Sequence, residues 1–228
     1  MKSMWLFLLC CSWVSLAAAE DQSPFNGKNL DGWKAKGANF GDWKVGAAKL
    51  DSSDKHKFVK SAEGADLINA AEAHGKSFDL YSEHVKHGDA IITLEVMVPQ
   101  GSNSGVYVMG EYEVQVLDSF GKEKNPGPGD MGAIYGAQPP KNPKYLAPGE
   151  WNQYEIHFQA PKFEGDKKIA NAKFLKVILN GATIHENVEM KNVTPGGVDG
   201  KEKVAGPIMF QGNHGPVAYR KIKIAPLK

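Results

Sequence analysis

Apolar and polar residues alternate along most of the chain with the two-residue period of half-buried β-strands. In Asp89–Pro99, Ile92, Leu94, Val96 and Val98 form one row, and Ile91, Thr93, Glu95 and Met97 form the other. In Ser104–Met109, Val106 and Val108 oppose Asn103, Gly105, Tyr107 and Met109. In Tyr112–Leu117, Val114 and Val116 oppose Glu113, Gln115 and Leu117. In Trp151–Ala160, Asn152, Tyr154, Ile156 and Phe158 oppose Gln153, Glu155 and His157. Further strands fit Lys173–Leu179, Ala182–Val188, Pro207–Gln211 and Val217–Ile224, with turn signals such as Asn180-Gly181 and Pro195-Gly196-Gly197 between them. Ser61–His74 is alanine-rich, which favours helix, but Gly64 interrupts it and Asp66–Asn69 reads equally well as a strand. With no alternation of strands and long helices, no internal repeat and no glycine-rich nucleotide fingerprint, the pattern predicts an all-β protein. Its many short strands suggest two antiparallel sheets packed as a jelly-roll sandwich.

One region breaks the rhythm. Ser119–Glu150 holds six of the 13 prolines and six glycines. Loops of this length inside a compact domain are uncommon and often functional, and Ala133-Ile134-Tyr135 within it reads as ordered. At the other extreme, residues 1–19 carry Lys2, an apolar stretch from Trp5 to Leu16 and Ala17-Ala18-Ala19 before Glu20. That is the pattern of a secretory signal peptide, too short for a membrane span. The expectation is a secreted or periplasmic protein whose single domain covers residues 20–228. Both cysteines, Cys10 and Cys11, fall in the leader, so the mature chain is expected to lack disulfides, thiolate metal sites and a cysteine nucleophile.

Charge narrows the class further. Lys+Arg number 27 against 26 Asp+Glu. Such a balance argues against binding to nucleic acid or to a membrane surface. Arg220 is the only arginine, which makes a bidentate phosphate clamp improbable. The histidines show no HxH or HExxH spacing, and there is no EF-hand loop or GxSxG elbow. No cofactor is expected; the sequence leaves a metal requirement open.

Three constellations could carry chemistry. In Glu113-Val-Gln115-Val-Leu-Asp118, Glu113 and Gln115 share a face, and a β-bulge near Leu117 would bring Asp118 onto it. If the neighbouring strands are adjacent, Glu95, Asn103 and Tyr107 extend this row into one polar patch. Carboxylates, amides and aromatic rings together suit a sugar, although a solvated outer face would give a similar pattern. Gln211 and His214 belong to Phe210-Gln211-Gly-Asn213-His214-Gly-Pro, where glycines let the backbone approach a ligand and His can act as a base near neutral pH. An ordinary turn histidine is the plainer reading. Arg220 shares its predicted face with Ala218, Ile222 and Ile224 and so needs a partner, either a buried acid or a substrate carboxylate.

Several motifs, in order along nearly the whole mature chain, resemble the 3-keto-disaccharide hydrolase domain family. They are Phe25-Asn-Gly-Lys-Asn-Leu-Asp-Gly-Trp33, Asn103-Ser-Gly-Val-Tyr107, Tyr112-Glu-Val-Gln-Val-Leu-Asp118, Gly132-Ala-Ile-Tyr135, Gly149-Glu-Trp-Asn152 and Gly206-Pro-Ile-Met-Phe-Gln211 through His214-Gly-Pro-Val-Ala-Tyr-Arg220. The chain departs from the family at Lys221, where Asn is commoner, and at Met109. The resemblance implies a concanavalin A-like lectin/glucanase type of jelly roll and cleavage of glycosidic bonds in 3-keto sugars. On that reading Glu113 or His214 is the base, and Asp118 orients His214 or protonates the leaving group. Glu95, Asn103, Tyr107, Gln115, Tyr135, Gln211 and Arg220 contact the sugar. The implied partner is an oxidised (3-keto) oligosaccharide or glycoside, with a sugar 3-dehydrogenase upstream to supply it. Two alternatives stand beside this expectation. One is a non-catalytic carbohydrate-binding module; the other is a conventional glycoside hydrolase acting on unoxidised sugar.

Overall fold

The computed structural model describes residues 20–59, 63–72 and 74–227. The leader expected at residues 1–19 lies outside the described residues. Among the described residues fourteen strands form: β1 (Trp33–Ala35), β2 (Trp43–Gly46), β3 (Asp66–Asn69), β4 (Leu80–His87), β5 (Ala90–Met97), β6 (Asn103–Val108), β7 (Tyr112–Leu117), β8 (Trp151–Gln159), β9 (Lys162–Glu164), β10 (Lys167–Ala170), β11 (Ala172–Leu179), β12 (Ala182–Met190), β13 (Gly206–Phe210) and β14 (Val217–Pro226). A five-stranded sheet runs β1-β4-β13-β6-β7, a seven-stranded sheet runs β12-β11-β8-β5-β14-β3-β2, and β10-β9 is a separate ribbon. All pairings are antiparallel. Asp66–Asn69, which composition left between helix and strand, pairs with β14 on one side and β2 on the other.

The core lies between the two large sheets. Ile92, Leu94 and Val96 of β5 and Tyr154, Ile156 and Phe158 of β8 face Val106, Val108, Val114, Val116 and Phe210 of the smaller sheet. Phe210 stacks on Tyr219 across the interface, with ring centroids 3.9 Å apart. A buried aromatic of this kind contributes about 1.5–3 kcal/mol by burial alone. The turn Asn180-Gly181 joins β11 to β12 with φ of 50° and 76°. Left-handed dihedrals at both positions match the twist of the flanking strands, and Asn-Gly accepts them at little cost.

Two local features redirect side chains. The long excursion after β7 returns beside it as an extra edge. The Gln115 N–H donates to Ala133 O at 2.9 Å, the Gly132 N–H to Gln115 O at 2.8 Å and the Tyr135 N–H to Glu113 O at 3.2 Å. Ile134 is buried there, so the order expected of Ala133-Ile134-Tyr135 is present. In β14 a bulge falls between Arg220 and Lys223, with Lys221 at φ 51°. The extra residue puts both Tyr219 and Ile222 in the core. Arg220 therefore shares a face with Ala218 but not with Ile222 and Ile224. Left-handed φ is the region that Asn tolerates best after Gly, so Lys221 holds a backbone conformation its own side chain does not favour.

Candidate active site

The outer face of the smaller sheet is covered. The edge segment 132–135 walls it with Tyr135 and the turn Pro195-Gly196 closes over it, leaving a cleft of about 350 Å³. The floor comes from alternate residues of two strands, Asn103 and Tyr107 from β6 and Glu113 and Gln115 from β7. Their register is unbroken from Asn103↔Leu117 to Val108↔Tyr112, so Tyr107 sits directly opposite Glu113. Gln211, Asn213 and His214 enter from the end of β13, Asp79 from the residue before β4, and Lys36 from the residue after β1.

Glu113 is 3% exposed although it faces away from the core. The Tyr107 hydroxyl lies 3.0 Å from Glu113 Oε2 and 2.9 Å from Pro195 O, its single proton shared between the two acceptors. Burial raises the Glu113 carboxyl to about 7; the Tyr107 hydrogen bond pulls it down, and the negative charge of Asp79 pushes it up. The Tyr107 phenol is driven far above its usual range, first by burial and then by Glu113. Gly105 lies under this carboxylate. A methyl group there would overlap Glu113 Oε1, so glycine is required for the side chain to lie flat.

His214 is half-buried. Its Nδ1 meets Asn213 Oδ1. The neutral tautomer that satisfies this acceptor carries its proton on Nδ1 and leaves the Nε2 lone pair open. Burial lowers the His214 pKa, the neighbouring His74 lowers it further, and Asp79 opposes both. The His74 ring meets His214 edge-on, with centroids 4.5 Å apart. Asp79 accepts the Gly212 N–H at 3.0 Å, tying the β13 turn to the start of β4. Gln115 Nε2 donates to Asn103 Oδ1 at 3.3 Å and to Gly129 O at 3.1 Å. Tyr135, 44% exposed, presents its ring at the rim.

The roof is fastened from beneath. Buried Glu111 accepts the N–H groups of Asp199 at 2.9 Å and Gly200 at 3.1 Å. Lys36 Nζ donates to Gly196 O at 2.8 Å and Gly197 O at 2.5 Å. Its third N–H is left for the cleft.

Three expected site residues lie elsewhere. Glu95 and Arg220 are on the outer face of the other sheet, where Arg220 Nε meets Glu95 Oε2 at 2.5 Å, Lys221 Nζ meets Glu95 Oε1 at 2.8 Å, and the guanidinium lies 4.0 Å from the Trp151 ring centroid. The chain crosses between sheets after β5, so β5 and β6 follow each other in sequence without being neighbours. Arg220 thus has the buried-acid partner, not the substrate carboxylate. Asp118 does not join Glu113, because β7 carries no bulge against β6. Its carboxylate instead accepts the N–H groups of Gly101 at 2.9 Å and Phe120 at 3.4 Å, fixing the turn that leads into Asn103. The other expected residues, Glu113, His214, Asn103, Tyr107, Gln115, Tyr135 and Gln211, line one cleft.

Sequence reasoning missed Asp79, Lys36 and Asn213. The first two flank β4 and β1, strands that alternation did not reveal. In β4 the inward residues change phase, consistent with the register shift against β13 between Pro207 and Met209. Asn213 stood in a recognised motif, and its role as acceptor for His214 was the signal available.

Comparison with known proteins places this geometry. The chain resembles a "putative glycosyl hydrolase" from Parabacteroides distasonis at 27% identity and TM-score 0.69, over 91% of this chain and 84% of that one. Two further proteins of that description from the same organism share the fold. One has 18% identity and TM-score 0.62, over 91% and 94% of the two chains, and the other 22% and 0.59, over 92% and 100%. A comparison with curated proteins gives no match. Residues 20–225 match the 3-keto-alpha-glucoside-1,2-lyase-like domain, the family to which this chain belongs, and with it to the carbohydrate-active enzymes that cleave glycosides.

Proposed function

We propose that this protein, exported by its leader, cleaves the glycosidic bond of 3-keto sugars by elimination and hydration. The observation that carries the reading is Glu113, a buried carboxyl raised to about 7, bound by a phenol and not by a cation. A base works best when its pKa lies near the operating pH. The ketone at C3 acidifies the C2 hydrogen, and Glu113 Oε1 takes that proton. The C2–H electrons form the C2=C3 enolate, with charge on O3. Lys36 and the amides of Asn103 and Gln211 are the donors available to that oxygen. The enolate reforms the ketone as the C1–O bond breaks, leaving a C1=C2 double bond. The Glu113 carboxyl hands its proton to the departing oxygen. Water then adds at C1 while His214 Nε2 accepts its proton, and that proton is delivered to C2, so the net reaction is hydrolysis.

A second reading has a specific support: Asp79 and Glu113 are two carboxylates in one cleft, the basic equipment of a conventional glycosidase. Incubation with a 3-keto glucoside and its unoxidised parent separates the two. Release of the leaving alcohol from the keto sugar alone is expected; comparable cleavage of the parent would replace the elimination route with the conventional one.

A further inference from the structure

His214 rides on a turn that belongs to no strand. β13 ends at Phe210 and β14 begins at Val217, and two of the residues between them are Gly212 and Gly215, which fix no conformation by themselves. Side chains hold the turn by its carbonyls. Ser104 Oγ donates to Gln211 O at 2.6 Å and Ser102 Oγ to Pro216 O at 2.5 Å. The Asn69 amide spans the turn: Nδ2 donates to Gly212 O at 2.7 Å and to Gly215 O at 2.9 Å, the two carbonyls that bracket Asn213 and His214. Both oxygens only accept, so the amide nitrogen must be the atom that faces them. Asn69 is fully buried in β3, paired with Val217 of β14 on one side and Trp43 of β2 on the other. By the two-residue period it shares a face with Leu67, a core residue. Packing alone asks for an apolar side chain there, and a buried amide is costly without partners. Its Oδ1 has no hydrogen-bond partner among the described residues, so the amide serves as a donor alone.

We infer that Asn69 is a positioning residue for the reaction: it clamps the turn at both ends and so aims His214 into the cleft. The inference rests on the proton-accepting role given to His214 above. A proton acceptor must lie within hydrogen-bond reach of its water, and Asn69, which lies outside the cleft lining, acts on that reach only through the turn. Displacing the turn would break both hydrogen bonds to one rigid amide and leave their buried groups unpaired.

The test uses the full chain with Asn69→Leu, which fills the site without a donor, and Asn69→Ser, whose single hydroxyl proton serves only one carbonyl. If the first fails to fold, the second carries both readouts. Glu95→Gln, on the outer face of the other sheet, is the control for lost stability. The first readout is the ring-nitrogen NMR spectrum of His214 at about pH 8, where a free histidine is neutral, assigned by its loss in His214→Gln. In the parent the two nitrogens are expected far apart, as for one fixed neutral tautomer, and in the Asn69 variants they draw together as the ring is released. The second readout is the ratio of free keto sugar formed to alcohol released from the keto glucoside. It is expected to fall about tenfold in the Asn69 variants with KM held within about twofold, a fraction of the cost of ångström-scale misplacement. Glu95→Gln should move neither. Averaged nitrogens in the parent, a parent-like spectrum or ratio in the Asn69 variants, or the same changes in Glu95→Gln would overturn the inference. If the parent forms no free keto sugar, the hydration role of His214 has failed, and the spectrum alone decides whether Asn69 holds the ring.

Discussion

Two glutamates on opposite outer faces of the sandwich are almost equally buried, Glu113 at 3% and Glu95 at 6% exposed. Their surroundings differ in sign. Glu95 meets the Arg220 and Lys221 cations, which outweigh its burial and hold its carboxyl below the usual range. Glu113 meets a phenol, with Asp79 nearby, and burial prevails. The same residue type, similarly hidden from the surface, is therefore an anion in one place and a proton carrier near neutrality in the other. Desolvation governs Glu113, and at Glu95 the adjacent cations override it.

Substitutions can sharpen this contrast. The largest effect is expected for Glu113→Gln, about a thousandfold loss of turnover on the keto glucoside with the fold retained. Full activity would remove Glu113 from the mechanism. The same variant should be more stable than the parent at pH 8 by about 3 kcal/mol, from a carboxyl raised from its usual 4.5 to about 7. The sign follows from the raised pKa: the native state is penalised when the group ionises. The gain should shrink as pH falls through 7 and vanish near 4.5 in denaturant titrations.

Next in size is Gly105→Ala, which displaces the carboxylate without touching its chemistry. About a hundredfold loss in kcat/KM is expected, in line with the cost of misplacing a catalytic group by about an ångström. Parent-like kinetics would mean that Glu113 need not lie flat on β6. A smaller effect is predicted for Tyr107→Phe. Losing the hydroxyl removes the contact that pulls the Glu113 pKa down. The rising limb of kcat/KM, expected near pH 7, should move to higher pH, with about a tenfold loss at pH 7. A limb that stays put would separate Tyr107 from the titrating group.

Smallest in activity is Glu95→Gln, expected to change turnover less than about twofold. Its effect belongs to stability: about 1–2 kcal/mol at pH 7 for hydrogen bonds to charged groups, with little from exposed Lys221. Because the Glu95 pKa is lowered, that contribution exists above the unfolded carboxylate pKa and disappears as pH falls through the folded one. A large activity loss at full stability would reverse the assignment of the two faces.

The rows of alternate residues were legible without coordinates. Val106 and Val108 against Tyr107, and Val114 and Val116 against Glu113 and Gln115, follow from the strand period, and so does the all-β class. The same period misled for Glu95, because the outer faces of two different sheets produce the same pattern. It misled for Arg220 as well, because a bulge shifts the phase without leaving a mark in composition. Asp79 and Lys36 were hidden for another reason. They belong to segments distant in sequence, at 36 and 79 against 113, and only strand order brings them to one cleft.

The sequence by itself determined strands β5–β8 and β11–β14, several turns, the family and a polar row containing Glu113, since these depend on neighbours a few residues apart. The tertiary structure decided which rows face each other and which carboxylate loses its water. The enclosure of Glu113 comes from the added edge at 132–135 and the turn at 195–196, and desolvation depends on the whole surrounding surface rather than on any local pattern.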